Sequence, residues 1–377
     1  MKWSPCLLLV VLFFAFNATA QVDIANTSKY EFKIAKQVAC TPVKSQDRTG
    51  TCWSYATASF LESEVMRLNK GQYDLSEMFV VRNIYRDKAR NYVLRQGKAN
   101  FSQGSLSHDL MRAASVHGMM PEAAFSGKLE GETRHDHSEL SAILKGMLDA
   151  VLDQKRPSPK WSKAFEAVLD VYLGEMPNEF TYEGKSFTPT SFAKHLGFAS
   201  NKYHSFTSYT HHPFYQPFIL ELPDNYSNGS YHNLPIDKLV SLVDQAIEKG
   251  YTVAWDGDVS EKGFSAKSGI AVLPKDAKRT DLFDQPGEEL NVTQELRQET
   301  FENYSTTDDH LMHLVGIAHD QNGTKYYVIK NSWGEISPFK GYLYMSEAYF
   351  RLKTVAVMLH QEALSSDLAK QLDLVVR

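Results

Sequence analysis

Cysteine is scarce, with three in 377 residues, and that excludes a fold stapled by several disulfides. Long apolar runs are also missing. The run at residues 6–16 holds 11 residues, too few to span a bilayer, which takes about 20. No later stretch offers a membrane span. There is no internal repeat and no low-complexity tract. Charge of one sign does not dominate: 40 Lys and Arg stand against 45 Asp and Glu, for a net charge of −5. Without a basic stripe, nothing supports nucleic-acid binding. Histidine pairs are few and poorly placed for a metal. His135-Asp136-His137 reads as a solvated turn and His211-His212 as surface residues, so the sequence calls for no metal and no cofactor.

What is present begins with a leader. Met1-Lys2 opens a short basic start, the apolar run follows, and Ala18-Thr19-Ala20 closes it. This is the pattern of a cleavable secretory signal over residues 1–20, so the mature chain is expected to be exported, either periplasmic or secreted. Cys6 stands at the start of the apolar run, not after a small-residue cleavage site, which argues against a lipid anchor. Cleavage leaves 357 residues (377 − 20), enough for one large domain or two.

Only Cys40 and Cys52 then remain, and in an exported protein two cysteines invite a disulfide. The surroundings of Cys52 point elsewhere. Gln46 stands six residues before it, and Gly50-Thr51-Cys52-Trp53 opens an apolar-periodic segment that reads as a helix capped by Thr51. A thiol at a helix N-terminus feels the positive end of the dipole, which favours the thiolate. Far downstream come Asp309-His310 and then Asn331-Ser332-Trp333-Gly334. A cysteine, a distant histidine and a later asparagine are the parts of a nucleophile, its proton partner and the group that orients that partner. Singly each has a plain structural reading: a small buried thiol, a strand-end histidine, core tryptophans, a solvated glutamine. The ordered set favours the chemical one, and with it Cys40 as a free thiol. His313 is a rival to His310, but residues three apart on a strand face opposite ways.

These motifs resemble the papain-like cysteine peptidases, in which a Gln precedes Gly-x-Cys-Trp, a His leads an apolar run ending in Gly, and Asn-Ser-Trp-Gly follows. The run from His310 to Gly316 and Asn331-Ser332-Trp333-Gly334 fill the last two places. Phe180-Thr181-Tyr182, Phe187-Thr188-Pro189 and Trp255-Asp256-Gly257-Asp258-Val259 resemble the bleomycin hydrolase (aminopeptidase C) branch. The resemblance implies an α+β papain-like fold, with a helical half and a β-rich half facing across a cleft. It implies catalytic roles for Cys52, His310, Asn331 and Gln46, and a substrate-binding backbone at Gly104. It implies hydrolysis of peptide amide bonds through a thioester, with the aminopeptidase reading first. An endopeptidase of the same fold, or a non-catalytic binding protein on that scaffold, are the alternatives. A homo-oligomer is possible by the same resemblance.

Residues 21–377 are expected to form one peptidase domain. Its helical part spans about 40–250, with an insertion of two helices at about 130–176 split by Pro157-Ser158-Pro159. A helix is expected from Ser105 to His117 with Ser105 as its cap. The β-rich part spans about 251–360 and contains a hairpin around Asn322-Gly323. Its arms are unequal, 12 residues back to His310 and 8 forward to Asn331, so four residues must be absorbed if the two are to meet. The tail, 361–377, is read either as a segment folded back into the cleft or as a surface helix marked by Leu364, Leu368, Leu372 and Val375.

Overall fold

The computed structural model describes residues 28–374; the expected leader and the last three residues of the tail lie outside them. A mixed sheet of 11 strands organises the described chain. From one edge the order is Pro217–Ile219, Ser230–Asn233, Tyr203–Thr207, Thr354–His360, Val253–Gly257, His310–His319, Lys325–Lys330, Tyr342–Ser346, Ile270–Ala271 and Phe264–Ser265. The eleventh strand, Lys33–Gln37, pairs with the far half of the His310 strand, where Gln37 faces Gly316. Val253–Gly257 takes the near half and sets Gly257 opposite His310 and Asp256 opposite Leu311. Side chains alternate across this strand. Leu311 joins the helical core, whereas Met312 and Leu314 join the core on the other face.

The helix Cys52–Arg67 lies on the helical side of this strand, and every residue from Cys52 to Val65 is buried. Thr51 gives it no side-chain cap; the Thr51 hydroxyl lies 2.5 Å from that of Thr49 instead. Helices Glu77–Leu94 and Ser107–His117 pack around it. The second begins two residues later than expected. Asp109, not Ser105, is the acceptor there, taking the Leu106 N–H at 3.2 Å and the Ser105 hydroxyl at 2.7 Å. The insertion forms Ser138–Leu152 and Lys160–Leu173, whose stripes Leu140, Leu144, Leu148 and Phe165, Leu169, Leu173 are buried at helical spacing.

The β structure reaches further back than position 251. Strands at Tyr203–Thr207 and Ser230–Asn233, and the helix Ile236–Glu248, are built onto the same sheet as the later strands. The uneven hairpin closes in three ways. The turn pairs His319 with Lys325, and a bulge between Leu314 and Gly316 shifts the register so that His313 faces Lys330. These steps absorb one residue each. Asn331, one step beyond Lys330, is therefore level with Met312, and side chains cross the remaining two-residue offset to His310.

The described tail does not enter the cleft. Beyond His360 the chain passes Tyr251, whose hydroxyl donates to Glu362 at 3.4 Å and whose ring lies under the Arg67 guanidinium at 4.3 Å. Arg67 ends the Cys52 helix, about 22 Å along the axis from Cys52 at 1.5 Å per residue. Lys249 Nζ then binds the carbonyls of Ala363 and Leu364, and the helix Ser366–Gln371 buries Ala369. Up to Leu374 the surface-helix reading holds, and the segment folded back into the cleft is not seen.

Candidate active site

The chain before Cys52 is zipped onto the Asn331 segment. Gln46 N–H donates to the Ser332 carbonyl at 2.8 Å and Gly334 N–H to the Lys44 carbonyl at 3.1 Å. The Ser332 hydroxyl donates to Gln46 Oε1 at 2.7 Å. Because the Thr49 carbonyl on the other end of the Gln46 amide can only accept, the end facing Ser332 is oxygen. Gln46 Nε2 donates to the Thr49 carbonyl at 2.6 Å and retains a second hydrogen. Gln46 is only 6% exposed, so it is not the solvated loop residue of the plain reading. Beside it, the Cys52 N–H is one of the first-turn donors that a helix leaves without an internal acceptor.

His310 opens its strand as Cys52 opens its helix, and the backbone N–H groups of Leu311 and Trp53 lie near enough to the Cys52 thiol to lower its pKa. His310 Nε2 lies 2.8 Å from Asn331 Oδ1. The same Oδ1 accepts the Ser332 N–H at 2.7 Å. That second donor identifies the atom as oxygen, so the proton of a neutral imidazole sits on Nε2 and the Nδ1 lone pair is left free. Trp333 covers the ring, with centroids 4.5 Å apart and planes tilted 31°. His313 is elsewhere: it is wholly buried, its Nδ1 is 2.8 Å from Ser59 Oγ, and it cannot meet a ligand in the cleft.

Burial pushes the Cys52 thiol up to about 12; the Leu311 N–H opposes the rise, and the carboxylates of Asp308 and Asp256 add to it. Burial likewise pushes His310 down to about 4, against the bond to Asn331 and the charge of Asp309. Neither group is charged alone near neutrality. Desolvation opposes the pull of the helix terminus on the thiol, and proton transfer from Cys52 to His310 would pair the resulting thiolate with an imidazolium. Both cysteines are free thiols; half-buried Cys40 lies 3.2 Å from the Tyr342 hydroxyl.

Gly104, the expected substrate-binding backbone, has its carbonyl occupied. Its carbonyl accepts from the fully buried Lys88 ammonium, and a Cβ at this position would collide with the Asp224 carboxylate. Only the Gly104 N–H remains for an extended ligand among the described contacts. The segment is held by Gln103, which accepts the Gly50 N–H at 2.7 Å through its side chain and the Trp53 indole N–H at 2.9 Å through its carbonyl.

The His135-Asp136-His137 segment is not a solvated turn. His135 and His137 are buried, burial lowers both imidazoles to about 4, and the segment clamps the loop between Gln46 and Gly50. Arg48 N–H donates to the His135 carbonyl, and the His135 N–H donates to Asp47. His211, His212 and Glu221 converge closely enough to hold an ion, but the hydrogen bonding opposes it. Gln298 Oε1 takes the Thr210 N–H, so its amide nitrogen donates to His211 Nδ1. That leaves the proton of His211 on Nε2, donating to Glu221 at 3.1 Å, with no lone pair for a metal.

Residues 157–375 match the family model described as the Peptidase C1-like family, a span that includes His310 and Asn331. The chain belongs to that family. Residues 27–87, which carry Gln46 and Cys52, match the model of the papain family cysteine proteases. The protein is a cysteine peptidase of α+β, papain-like fold. Among relatives of this family, Aminopeptidase G of Lactobacillus delbrueckii subsp. lactis is 23% identical over 86% of this chain and 82% of its own length. Bleomycin hydrolase of Homo sapiens is 22% identical over 82% and 78%. The crystal structure of PepW from Lactobacillus rhamnosis superposes with a TM-score of 0.74 at 20% identity, covering 90% of this chain and 84% of that one. No helix among the described residues is long and apolar enough to cross a membrane.

The sequence reading did not single out Asp256, Asp308, Ser332 or Lys88, all of which shape this site. Asp256 had a signal: it is a carboxylate in an otherwise apolar strand, Val253–Gly257.

Proposed function

We propose that the chain is an aminopeptidase-type thiol peptidase with Cys52 as nucleophile and His310, Asn331 and Gln46 as its partners. The observation that carries the assignment is the His310 Nε2 to Asn331 Oδ1 bond, which leaves Nδ1 as the base. As Cys52 Sγ bonds to the scissile carbonyl carbon, its proton moves to His310 Nδ1. The carbonyl oxygen takes up the electron pair between Gln46 Nε2 and the Cys52 N–H, where each such donor is worth about 10²–10³ in rate. His310 then protonates the departing nitrogen, the C–N bond breaks, and a thioester remains. Water then attacks the thioester carbonyl while His310 Nδ1 accepts its proton, the C–S bond breaks, the carboxylic acid leaves, and His310 returns the proton to Cys52 Sγ.

The aminopeptidase reading rests on the relatives that carry that name. The tail is the observation favouring the second reading, an endopeptidase, because through Leu374 it lies at the far end of the Cys52 helix and closes neither side of the cleft. Matched peptides with free and acetylated N-termini separate the two. Faster cleavage of the free peptides is expected, and equal or faster cleavage of the acetylated ones would promote the endopeptidase. Export by the residue 1–20 leader belongs to the same proposal, checked by whether the mature N-terminus is Gln21. A homo-oligomer is checked by light scattering.

A further inference from the structure

We propose that Asp256 and Asp308 form the seat for the α-ammonium group of the substrate's first residue, beside the reacting thiol. The inference rests on the aminopeptidase reading and names the group that would enforce it. Asp256 is 5% exposed, no donor group among the described residues reaches either of its carboxyl oxygens, and its near neighbour is the Asp308 carboxyl, with which it shares a proton when one of the pair is protonated. A buried carboxyl left unsatisfied is costly, and it sits within a strand of otherwise apolar residues and glycine. Leu106, Ala254, Leu311 and Met358 line the same small space together with the hydroxyls of Ser107, Ser205 and Tyr231, none of which donates to Asp256.

Position fits the task. In an amino-acyl substrate the ammonium nitrogen is two bonds from the scissile carbonyl carbon, about 2.5 Å away. With the thiol about 3–3.5 Å from that carbon, the nitrogen must lie within about 6 Å of Sγ. An oxygen that binds it lies within about 9 Å. Asp256 faces Leu311 across the strand pair, a Cα separation of about 5 Å, and the Leu311 N–H acts on that thiol. Asp308 is two residues before His310 and partly exposed, less buried than Asp256.

Charge points the same way. The other carboxylates here have partners. Asp109 caps its helix, and Asp224 accepts from Asn100 and Ser102. Lys88 is the one cation acting on Asp308, and it is bound to the Gly104 carbonyl. Burial raises both Asp256 and Asp308, the latter to about 7, with Asp224 and Asp309 adding to the rise on each; Asp308 also raises Asp256, whereas the hydrogen bond from Asp256 lowers Asp308. A cation placed between them would take the place of that shared proton. The same cation would also offset the two carboxylates that hold the Cys52 thiol up, so that occupying the seat would help ionise the nucleophile.

The test uses Asp256→Asn and Asp308→Asn in the full chain with three fluorogenic substrates: leucyl, acetyl-leucyl and acetyl-lysyl-leucyl aminomethylcoumarin. Each variant is expected to lose about 10–100-fold in kcat/KM on the leucyl substrate relative to the acetyl-leucyl one, the worth of a charged hydrogen bond, a ratio in which the effect of the lost carboxylate on the Cys52 thiol cancels. Equal losses on all three, or none, would overturn the seat. So would a loss confined to the acetyl-lysyl substrate, which would assign the pair to a side-chain ammonium. A second readout needs no turnover. Leucinamide should protect Cys52 from iodoacetamide in the unsubstituted protein but not in the variants, and acetyl-leucinamide in neither. If free amines are preferred yet the variants match the parent, the seat fails and the aminopeptidase stands. If leucinamide protects as expected but free-amine peptides are not cleaved, the activity reading fails and the seat stands.

Discussion

Replacing Asn331 by Ala isolates one contribution to the proposed reaction. Asn331 Oδ1 accepts from His310 Nε2 at 2.8 Å and from the Ser332 N–H at 2.7 Å, and His310 is 3% exposed, so water does not readily replace the lost acceptor. In the resting site the His310 bond joins two neutral groups and is worth about 0.5–1.5 kcal/mol; once the ring has taken the Cys52 proton it is charge-assisted and worth about 1.5–3. Only the difference, about 1–2 kcal/mol, appears in the barrier. At 1.36 kcal/mol per decade that is about a 5- to 30-fold fall in kcat, with KM nearly unchanged because the bond lies behind the ring and not against the substrate. Steady-state kinetics on a free-amine peptide measure both constants. An unchanged kcat, or a loss confined to KM, would refute the reasoning. The Ser332 N–H and the ring N–H also lose their acceptor in the folded state, so chemical denaturation should show a loss of about 1–3 kcal/mol.

Cys52→Ala should abolish hydrolysis while its denaturation midpoint stays near that of the parent; hydrolysis at the parental rate would remove the nucleophile assignment. Gln46→Ala should cost about 10²-fold or more in kcat with a modest change in KM, and a change in KM alone would make Gln46 a binding residue. The two histidines should separate by phenotype. His310→Ala should fold and be close to inactive. His313→Ala opens a cavity beside Ser59 and Phe60 and should cost about 2–4 kcal/mol of stability, while its folded fraction turns over normally. Iodoacetamide reaction at Cys52, read by mass spectrometry, should shift to lower pH in Asp308→Asn, because removing a carboxylate lowers the thiol. No shift would mean that Asp308 does not act on Cys52.

The parts of the site that are legible in the sequence are those whose chemistry is local. Cys52 at a helix start and His310 at a strand start can be read from spacing alone, because a strand or helix boundary is signalled by its neighbours. The insertion helices are legible for the same reason: Leu140, Leu144 and Leu148 repeat at the helical period. Asn331 could be named from its motif, but the step that brings it to His310 depends on the bulge between Leu314 and Gly316 and on the turn at His319, and a register shift leaves no periodic trace. Gln46 could likewise be named, whereas its orientation could not. That depends on the Ser332 hydroxyl, 286 positions away.

The misread segments share a cause. The polar pattern around His135 and His137 reads as exposed, yet both are buried, His137 meeting the Tyr85 hydroxyl through Nδ1 and His135 meeting Asp47 through its backbone N–H. Burial also opposes the expected electrostatics at Cys52, since a helix terminus acts over a turn while desolvation acts on the whole thiol. The clearest case is Asp256. Composition treats it as one of 45 acidic residues, and the strand pattern treats it as an exception to an apolar run. Only its placement opposite Leu311, beside the Asp308 carboxyl and with no donor among the described residues on either oxygen, makes that exception the basis of the proposed cation seat. A peptidase that removes single residues needs such a cation-binding group within a few ångströms of its nucleophile, because the amine it must recognise is two bonds from the carbon it attacks.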